Sequence, residues 1–120
     1  MKRALIVDDA AFVRLALRTI LEKNDYEVVG EANDGNLALR KYQELRPDFV
    51  TLDITMPNMD GITTLKELRK IDKEVVVIMI SSMGQEAMIK EAVFQGARYF
   101  IVKPFKEEFV IDTIQKIVGK

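Results

Sequence analysis

Four short apolar runs in this chain each stop at side chains that carry chemistry. In chain order the runs end at Asp8 and Asp9, at Asp53, at Ser81 and Ser82, and at Lys103. Each run is bulky and in part β-branched, which is typical of a strand buried on both faces. The carboxyl ends of parallel strands meet at one edge of a sheet, where ligand sites form. We therefore expect the four tips to converge on one pocket.

Amphipathic stretches separate the runs, so strands and helices should alternate. Strands are predicted at residues 3–8, 25–31, 48–53, 75–80 and 98–102. A helical stripe follows the first strand at Val13, Ala16, Leu17, Ile20 and Leu21. The second helix should end near Pro47, and the third should begin after Gly61. The fourth should span about 85–95 with Ile89, Ala92 and Val93 inward, and the fifth should begin near residue 106.

Five such βα units favour an α/β fold, a doubly wound five-stranded parallel sheet with five helices on its two faces. We predict the flavodoxin-like strand order 2-1-3-4-5, with strand two at an edge. This order sets strands one and three side by side and would bring Asp8, Asp9 and Asp53 together. Residues 1–120 suit one hydrophobic core, and no linker follows the last helix. We expect a complete single-domain protein.

The composition argues against several classes of function. A net charge of −1 provides no positive field for a nucleic-acid backbone. Because cysteine and histidine are both absent, thiol catalysis and imidazole chemistry require another molecule. The longest aliphatic run, 75–80, is too short to span a bilayer, and Asp8 arrives before a signal peptide could develop its apolar core. We expect a cytoplasmic monomer that binds neither nucleic acid nor membrane.

Three acids at one sheet edge indicate a metal site. Neighbouring charge and burial both raise the pKa of a carboxyl group, and a divalent cation offsets them. Because the chain offers only oxygen ligands, we predict Mg²⁺ held mainly by Asp9 and Asp53, with Asp8 acting partly through water. Asp53 is the candidate nucleophile, since a carboxylate can accept a phosphoryl group. Lys103 and Ser81 would then contact the oxygens of that group.

Motifs at all four strand ends match a known family. They are Ile6-Val7-Asp8-Asp9, Asp53-Ile54-Thr55-Met56-Pro57 with Asp60-Gly61, Ser81 after strand four, and Lys103-Pro104-Phe105. Over its entire length the chain resembles the receiver domains of two-component signalling, most closely the stand-alone chemotaxis response regulators of the CheY type. Each motif is weak alone, but the four together in this order are specific. The order 2-1-3-4-5 is a property of that family, so naming the family already implies it.

The resemblance implies a role for each site residue. Asp53 would be the phosphoacceptor, Asp8 and Asp9 the acidic metal pair, and the backbone carbonyl of Thr55 a further Mg²⁺ ligand. Lys103 would contact the phosphoryl group.

The resemblance also implies a switch. Ser81 would be the switch hydroxyl and Phe100 the switch aromatic, and the Lys103-Pro104 bond would be cis. Contact with a phosphoryl group would draw Ser81 inward and leave room for Phe100 to swing from exposed to buried. The sequence departs from the family in two places: many members have tyrosine where Phe100 stands, and close relatives have alanine where Ser82 stands. Ser82 would either narrow access to Asp53 or share its hydrogen bonding.

The partners follow from the same resemblance. A CheA-like histidine kinase would donate the phosphoryl group, a flagellar motor switch protein would bind through helix four, strand five and helix five, and a phosphatase would reverse the signal. The protein would not be an enzyme, beyond catalysing its own phosphorylation and slow dephosphorylation.

Other functions stay open at this point. The chain could be a phosphorelay intermediate or the receiver of a larger regulator. A phosphohydrolase of the haloacid dehalogenase type also forms an aspartyl phosphate, but it needs an acid where Thr55 stands. A flavin or nucleotide module would place its phosphate after strand one, where Asp8 and Asp9 would repel it. Asp8 and Asp9 could also simply cap a helix, and Asp53 with Lys103 could be a structural ion pair.

Overall fold

The computed structural model describes residues 1–119, in which five strands alternate with five helices. The strands are β1 (Arg3–Val7), β2 (Glu27–Ala32), β3 (Phe49–Asp53), β4 (Val77–Ser82) and β5 (Tyr99–Lys103). The helices are α1 (Ala11–Lys23), α2 (Gly35–Leu45), α3 (Gly61–Ile71), α4 (Glu86–Phe94) and α5 (Glu107–Val118). One parallel sheet has the order β2-β1-β3-β4-β5, which confirms the predicted fold and the edge position of β2. None of the helices within residues 1–119 has the length and apolar character needed to cross a bilayer.

Side chains of the central strands alternate between two hydrophobic cores. In β1, Leu5 and Val7 face the first core. The alternate residues Ala4 and Ile6 face the second core. Helices α2, α3 and α4 cover the first core, while α1 and α5 cover the second. Because β1, β3 and β4 are buried on both faces, their sequences are near-continuous apolar runs rather than alternating ones.

Strand β4 begins and ends two residues later than the predicted range of 75–80. The Val75 and Glu74 N–H groups both donate to Asp72, so a turn holds the start of the valine run outside the strand. At the other end, the ladder continues until Ser82 pairs with Lys103. The two serines are therefore part of the strand tip. The other strand ends differ from prediction by one or two residues, the ordinary uncertainty of element boundaries.

Two residues predicted to point inward are exposed, Ala16 of α1 and Val93 of α4. Successive residues of a helix point about 100° apart, so Ala16 and Val93 turn outward while their neighbours Leu17 and Ala92, also predicted to point inward, are buried. Within the described helix, Ala92 is the one buried residue of α4. Helix α4 is therefore held to the sheet by less apolar burial than its neighbour α3, which buries four residues.

Candidate functional site

The carboxyl ends of β1 and β3 bring three acids together, as predicted. One oxygen from each of Asp8, Asp9 and Asp53 lies within 4.8 Å of the other two. Asp8 and Asp53 are buried, and Asp9 is exposed. Asp8 Oδ1 accepts a 2.9 Å hydrogen bond from the Ala10 N–H, and Asp8 Oδ2 faces the ammonium group of Lys103 at 3.1 Å. Carboxylate oxygens grouped in this way suit a hard divalent cation.

Lys103 supplies the one ammonium group that lies among these acids in the described chain. Its Nζ is 3.1 Å from Asp8 Oδ2 and 3.4 Å from Asp53 Oδ1. Both contacts are ion pairs, so Lys103 offsets part of the negative charge of Asp8 and Asp53. Burial lowers the pKa of Lys103, but the charges of Asp53 and Asp8 outweigh burial and leave that pKa above its ordinary value. Lys103 is therefore a permanent cation at the site.

The single cation does not neutralise the acids around Asp53. Burial raises the pKa of the Asp53 carboxyl, the charge of Asp8 raises it further, and Lys103 lowers it in part, which leaves a pKa of about 6 against an ordinary 3.8. Asp53 is thus mostly ionised at neutral pH, at an electrostatic cost. A bound divalent cation would remove that cost and leave the carboxylate oxygen available as a nucleophile.

Ser81 places a free hydroxyl beside the acids. Asp53 pairs with Ile80 across the β3–β4 ladder, so Ser81 lies one residue beyond that level. Its side chain is fully buried, and Ser81 Oγ has no hydrogen-bond partner among residues 1–119. Most buried hydroxyls have a partner, so an unsatisfied one at a strand tip suggests a missing ligand. An incoming oxyanion is the kind of group that would accept its hydrogen bond.

The backbone on the α3 side of Asp53 is tightly fixed. Asp60 caps α3 by accepting a 2.8 Å hydrogen bond from the Thr63 N–H. The Gly61 N–H donates to the Ile54 carbonyl at 2.7 Å. A Cβ on Gly61 would overlap the carbonyl oxygen of Asp53, so glycine is required where the helix meets the strand. The candidate nucleophile therefore sits on a rigid support.

Sequence reasoning missed two residues that border the site. Arg14 Nη1 donates to the Asp8 carbonyl at 2.6 Å, and Arg14 Nε bonds Glu31 at 3.0 Å, which fixes the backbone at the acidic pair. Gln85 Nε2 donates to Thr55 Oγ1 at 2.8 Å. The residues that these hydrogen bonds join lie at least six positions apart in the sequence, so no local pattern could have indicated these contacts. The Thr55 carbonyl as a metal ligand stays a prediction.

The residues of the predicted switch lie on two neighbouring strands, Ser81 on β4 and Phe100 on β5. The Lys103-Pro104 bond is cis, as expected. Phe100 pairs with Met79 of β4 and packs, partly buried, against the core beneath α2, α3 and α4. Phe100 is thus neither fully buried nor fully exposed, and its role as the switch aromatic stays a prediction.

Four exposed apolar side chains lie on α4, β5 and α5, the elements predicted to bind a target. Val93 and Phe94 come from α4, Val102 from β5 and Phe109 from α5. Phe94 is 82% exposed. Large apolar side chains of this number on adjoining elements are typical of protein interaction surfaces.

Two comparisons place this architecture among known proteins. The family model described as "Response regulator receiver domain" matches residues 4–115. The chemotaxis protein CheY of Thermotoga maritima is 53% identical over 116 residues, covering 97% of each chain. CheY of Bacillus subtilis is 54% identical over 117 residues, covering 98% of each chain.

Solved structures agree with the sequence relatives. A chain of the CheX-CheY-BeF3-Mg complex from Borrelia burgdorferi superposes with a TM-score of 0.92 at 40% identity, covering 99% of this chain and 90% of that chain. The resemblance inferred from the four motifs is thereby confirmed, as is the two-component and chemotaxis character of the relatives.

Proposed function

The chain belongs to the family of response regulator receiver domains, and on that premise we propose that it is a phosphorylation-dependent signalling switch with Asp53 as the phosphoacceptor. One observation carries the proposal: Asp53 lies among Asp8, Asp9 and Lys103 at one edge of the sheet. A structural ion pair would not need two additional acids and an unsatisfied Ser81 hydroxyl.

The transfer step follows from the groups at the site. An Asp53 carboxylate oxygen attacks the phosphorus of a phosphohistidine, so a P–O bond forms and the P–N bond breaks. The electron pair of the broken bond stays on the departing imidazole, which leaves neutral with its ring proton. The chain has no histidine, so the donor is a separate protein of the histidine kinase class. Hydrolysis later returns the Asp53 carboxylate and inorganic phosphate.

Each neighbour of Asp53 has one task in that step. Lys103 pairs with an oxygen of the transferred group, and the Ser81 hydroxyl donates a hydrogen bond to another. Asp8, Asp9, Asp53 and the Thr55 carbonyl would hold Mg²⁺, and the clustered carboxylate oxygens of the three acids fit that role. When bound, Mg²⁺ supplies charge that lets one anion approach another.

The output surface is the face formed by α4, β5 and α5. Movement of Ser81 toward the phosphoryl group would leave space for Phe100, which is already partly buried beside that face. The exposed Val93, Phe94 and Phe109 offer apolar anchors for a protein target. By likeness to the chemotaxis relatives, we propose that the protein is cytoplasmic. Its proposed partners are a CheA-like kinase, a flagellar motor switch protein as target, and a phosphatase.

A phosphodonor experiment tests the acceptor. Acetyl phosphate is incubated with the wild-type chain and with Asp53→Asn, with and without Mg²⁺, and intact mass is recorded. We expect a base-labile adduct that requires both Mg²⁺ and Asp53. An adduct of equal yield in Asp53→Asn would assign the acceptor elsewhere.

A binding experiment tests the output face. Phe94→Ala should weaken binding of a flagellar motor switch protein to the phosphorylated chain by about tenfold or more, as loss of an interface anchor does. Phe12→Ala, on the exposed surface of α1, is the matched control and should leave binding unchanged. Equal losses of target binding in Phe94→Ala and Phe12→Ala would show that the face of α4, β5 and α5 is not the output surface.

The alternatives are less well supported. A relay intermediate or the receiver of a larger regulator would use the same site, and transfer of the phosphoryl group onward to a second histidine protein would favour the relay. A haloacid dehalogenase-type phosphohydrolase needs a general acid at the position where this chain has Thr55. Steady turnover of small phosphate esters would favour that enzyme.

A further inference from the structure

One side chain joins the two loops that border the acceptor site. Gln85 Oε1 accepts a 2.6 Å hydrogen bond from the Ser82 N–H at the end of β4. Gln85 Nε2 donates a 2.8 Å hydrogen bond to Thr55 Oγ1, two residues after Asp53. Both functional ends of the amide are thereby used. Gln85 links the loop that follows the acceptor with the loop that follows the Ser81 hydroxyl.

Gln85 does not cap the helix that it precedes. It occupies the position before the first turn of α4, and the described chain provides no side-chain cap for that helix, as is also true of α1 and α5. By contrast, Asp34 caps α2 and Asp60 caps α3. A side-chain cap stabilises a helix start by roughly 1 kcal/mol, and α4 lacks that contribution. The Gln85 bridge restrains the start of α4 instead.

The Ser82 N–H that Gln85 holds belongs to the strand tip that borders the acceptor site. Ser82 follows Ser81 and pairs with Lys103, whose Nζ is 3.4 Å from Asp53 Oδ1. Backbone N–H groups are common ligands of phosphate oxygens, and one N–H offers a single hydrogen. A phosphoryl group on Asp53 that accepts from the Ser82 N–H would compete with Gln85 for that donor.

We propose that Gln85 is a positioning residue that holds the resting arrangement of the two loops, and that a phosphoryl group on Asp53 must displace its amide from the Ser82 N–H. This inference rests on the proposed function. It assigns Gln85 an inhibitory part in phosphorylation, through Ser82 and Thr55 rather than by contact with the transferred group.

The loop between Ser82 and Gln85 is built to move when the bridge opens. Met83 is 84% exposed, and Gly84 has a φ of 89°. A Cβ on Gly84 would meet no atom of residues 1–119 within 4 Å. Gly84 thus adds no packing restraint to this loop, and α4, which follows it, carries part of the output face.

Binding of beryllofluoride with Mg²⁺ to the full chain measures the competition without chemistry. We expect Gln85→Ala to bind beryllofluoride about two- to tenfold more tightly than the wild type, the range that one net hydrogen bond supports. Acetyl phosphate should also label this variant faster. In the absence of either probe, amide hydrogen exchange at Ser82, followed by NMR, should be faster in Gln85→Ala.

Two further variants separate positioning from general disruption. Thr55→Val removes the other end of the bridge and should tighten beryllofluoride binding by a smaller factor. The double variant should bind no more tightly than Gln85→Ala alone, because the Thr55 hydroxyl acts only through Gln85, while the Thr55 backbone carbonyl is retained in both variants. Gln95→Ala, at the opposite end of α4, is the matched control and should bind like the wild type.

The outcomes distinguish this inference from the proposed function. If the wild type binds beryllofluoride through Asp53 but Gln85→Ala and Thr55→Val bind equally or more weakly, the competition is wrong and the switch stands. If the wild type forms no adduct at Asp53, both are wrong. Should Gln85→Ala fail to fold, tighter binding in Thr55→Val would support the inference, and unchanged binding there would overturn it.

Discussion

The two loops beside Asp53 differ in how firmly they are held. On the α3 side, Asp60 caps the helix and Gly61 packs directly on the Asp53 carbonyl. On the α4 side, Ser81 has an unsatisfied hydroxyl within the described chain, and Gly84 has open space around it. The fixed side keeps the acceptor in place, and the loose side can respond to a ligand. This difference explains how local chemistry could alter a distant face.

The largest expected effect concerns two glycines, Gly61 at the start of α3 and Gly84 in the loop before α4. Gly61→Ala should lower the free energy of unfolding by about 3 kcal/mol or more, because its Cβ would overlap the Asp53 carbonyl oxygen. Gly84→Ala is the control on the loose side, and it should cost only about 1 kcal/mol, from its positive φ alone. Urea unfolding measures both. Equal costs would abolish the contrast between the sides.

The next effect concerns the charge of Asp53 in metal-free protein. Its folded pKa of about 6 exceeds the ordinary 3.8, so the folded state binds this proton more tightly than the unfolded state does. The stability from that protonation is fully present below pH about 4 and is lost as the pH rises through about 6. The loss is about 3 kcal/mol by the shift of roughly two pKa units.

Asp53→Asn should therefore gain stability relative to the wild type between pH 4 and pH 7. Urea unfolding in the presence of a chelator, at several pH values, measures this difference. Mg²⁺ should stabilise the wild type at pH 7 and have a much smaller effect on the variant. A difference in stability that is constant with pH would show that Asp53 is not electrostatically strained.

The sequence predicted the fixed part of the molecule better than the loose part. Asp8, Asp53 and Lys103 could be placed because each ends a buried apolar run, and parallel topology aligns such ends. The inward position of Val93 was wrong, since apolar residues lie on several sides of α4 and their pattern does not define one buried face. Gln85 was missed because its contacts depend on how two loops approach each other.

Removing helix caps should give a smaller effect. Asp60→Ala should cost about 1 kcal/mol in urea unfolding, because the first turn of α3 loses its cap. Glu86→Ala, at the first turn of the uncapped α4, should cost about 0.5 kcal/mol or less through the helix dipole alone. A larger loss of stability in Glu86→Ala than in Asp60→Ala would show that side chains fix the start of α4 more firmly than the start of α3.

The measurement that tests the account most directly is amide hydrogen exchange mapped residue by residue, with and without beryllofluoride and Mg²⁺. The account predicts that the ligand changes exchange rates mainly between Ser81 and Phe94 and changes them little at residues 54–64 on the α3 side. In Asp53→Asn, beryllofluoride and Mg²⁺ should leave the exchange rates unchanged. Changes spread evenly over both loops, or retained in Asp53→Asn, would contradict it.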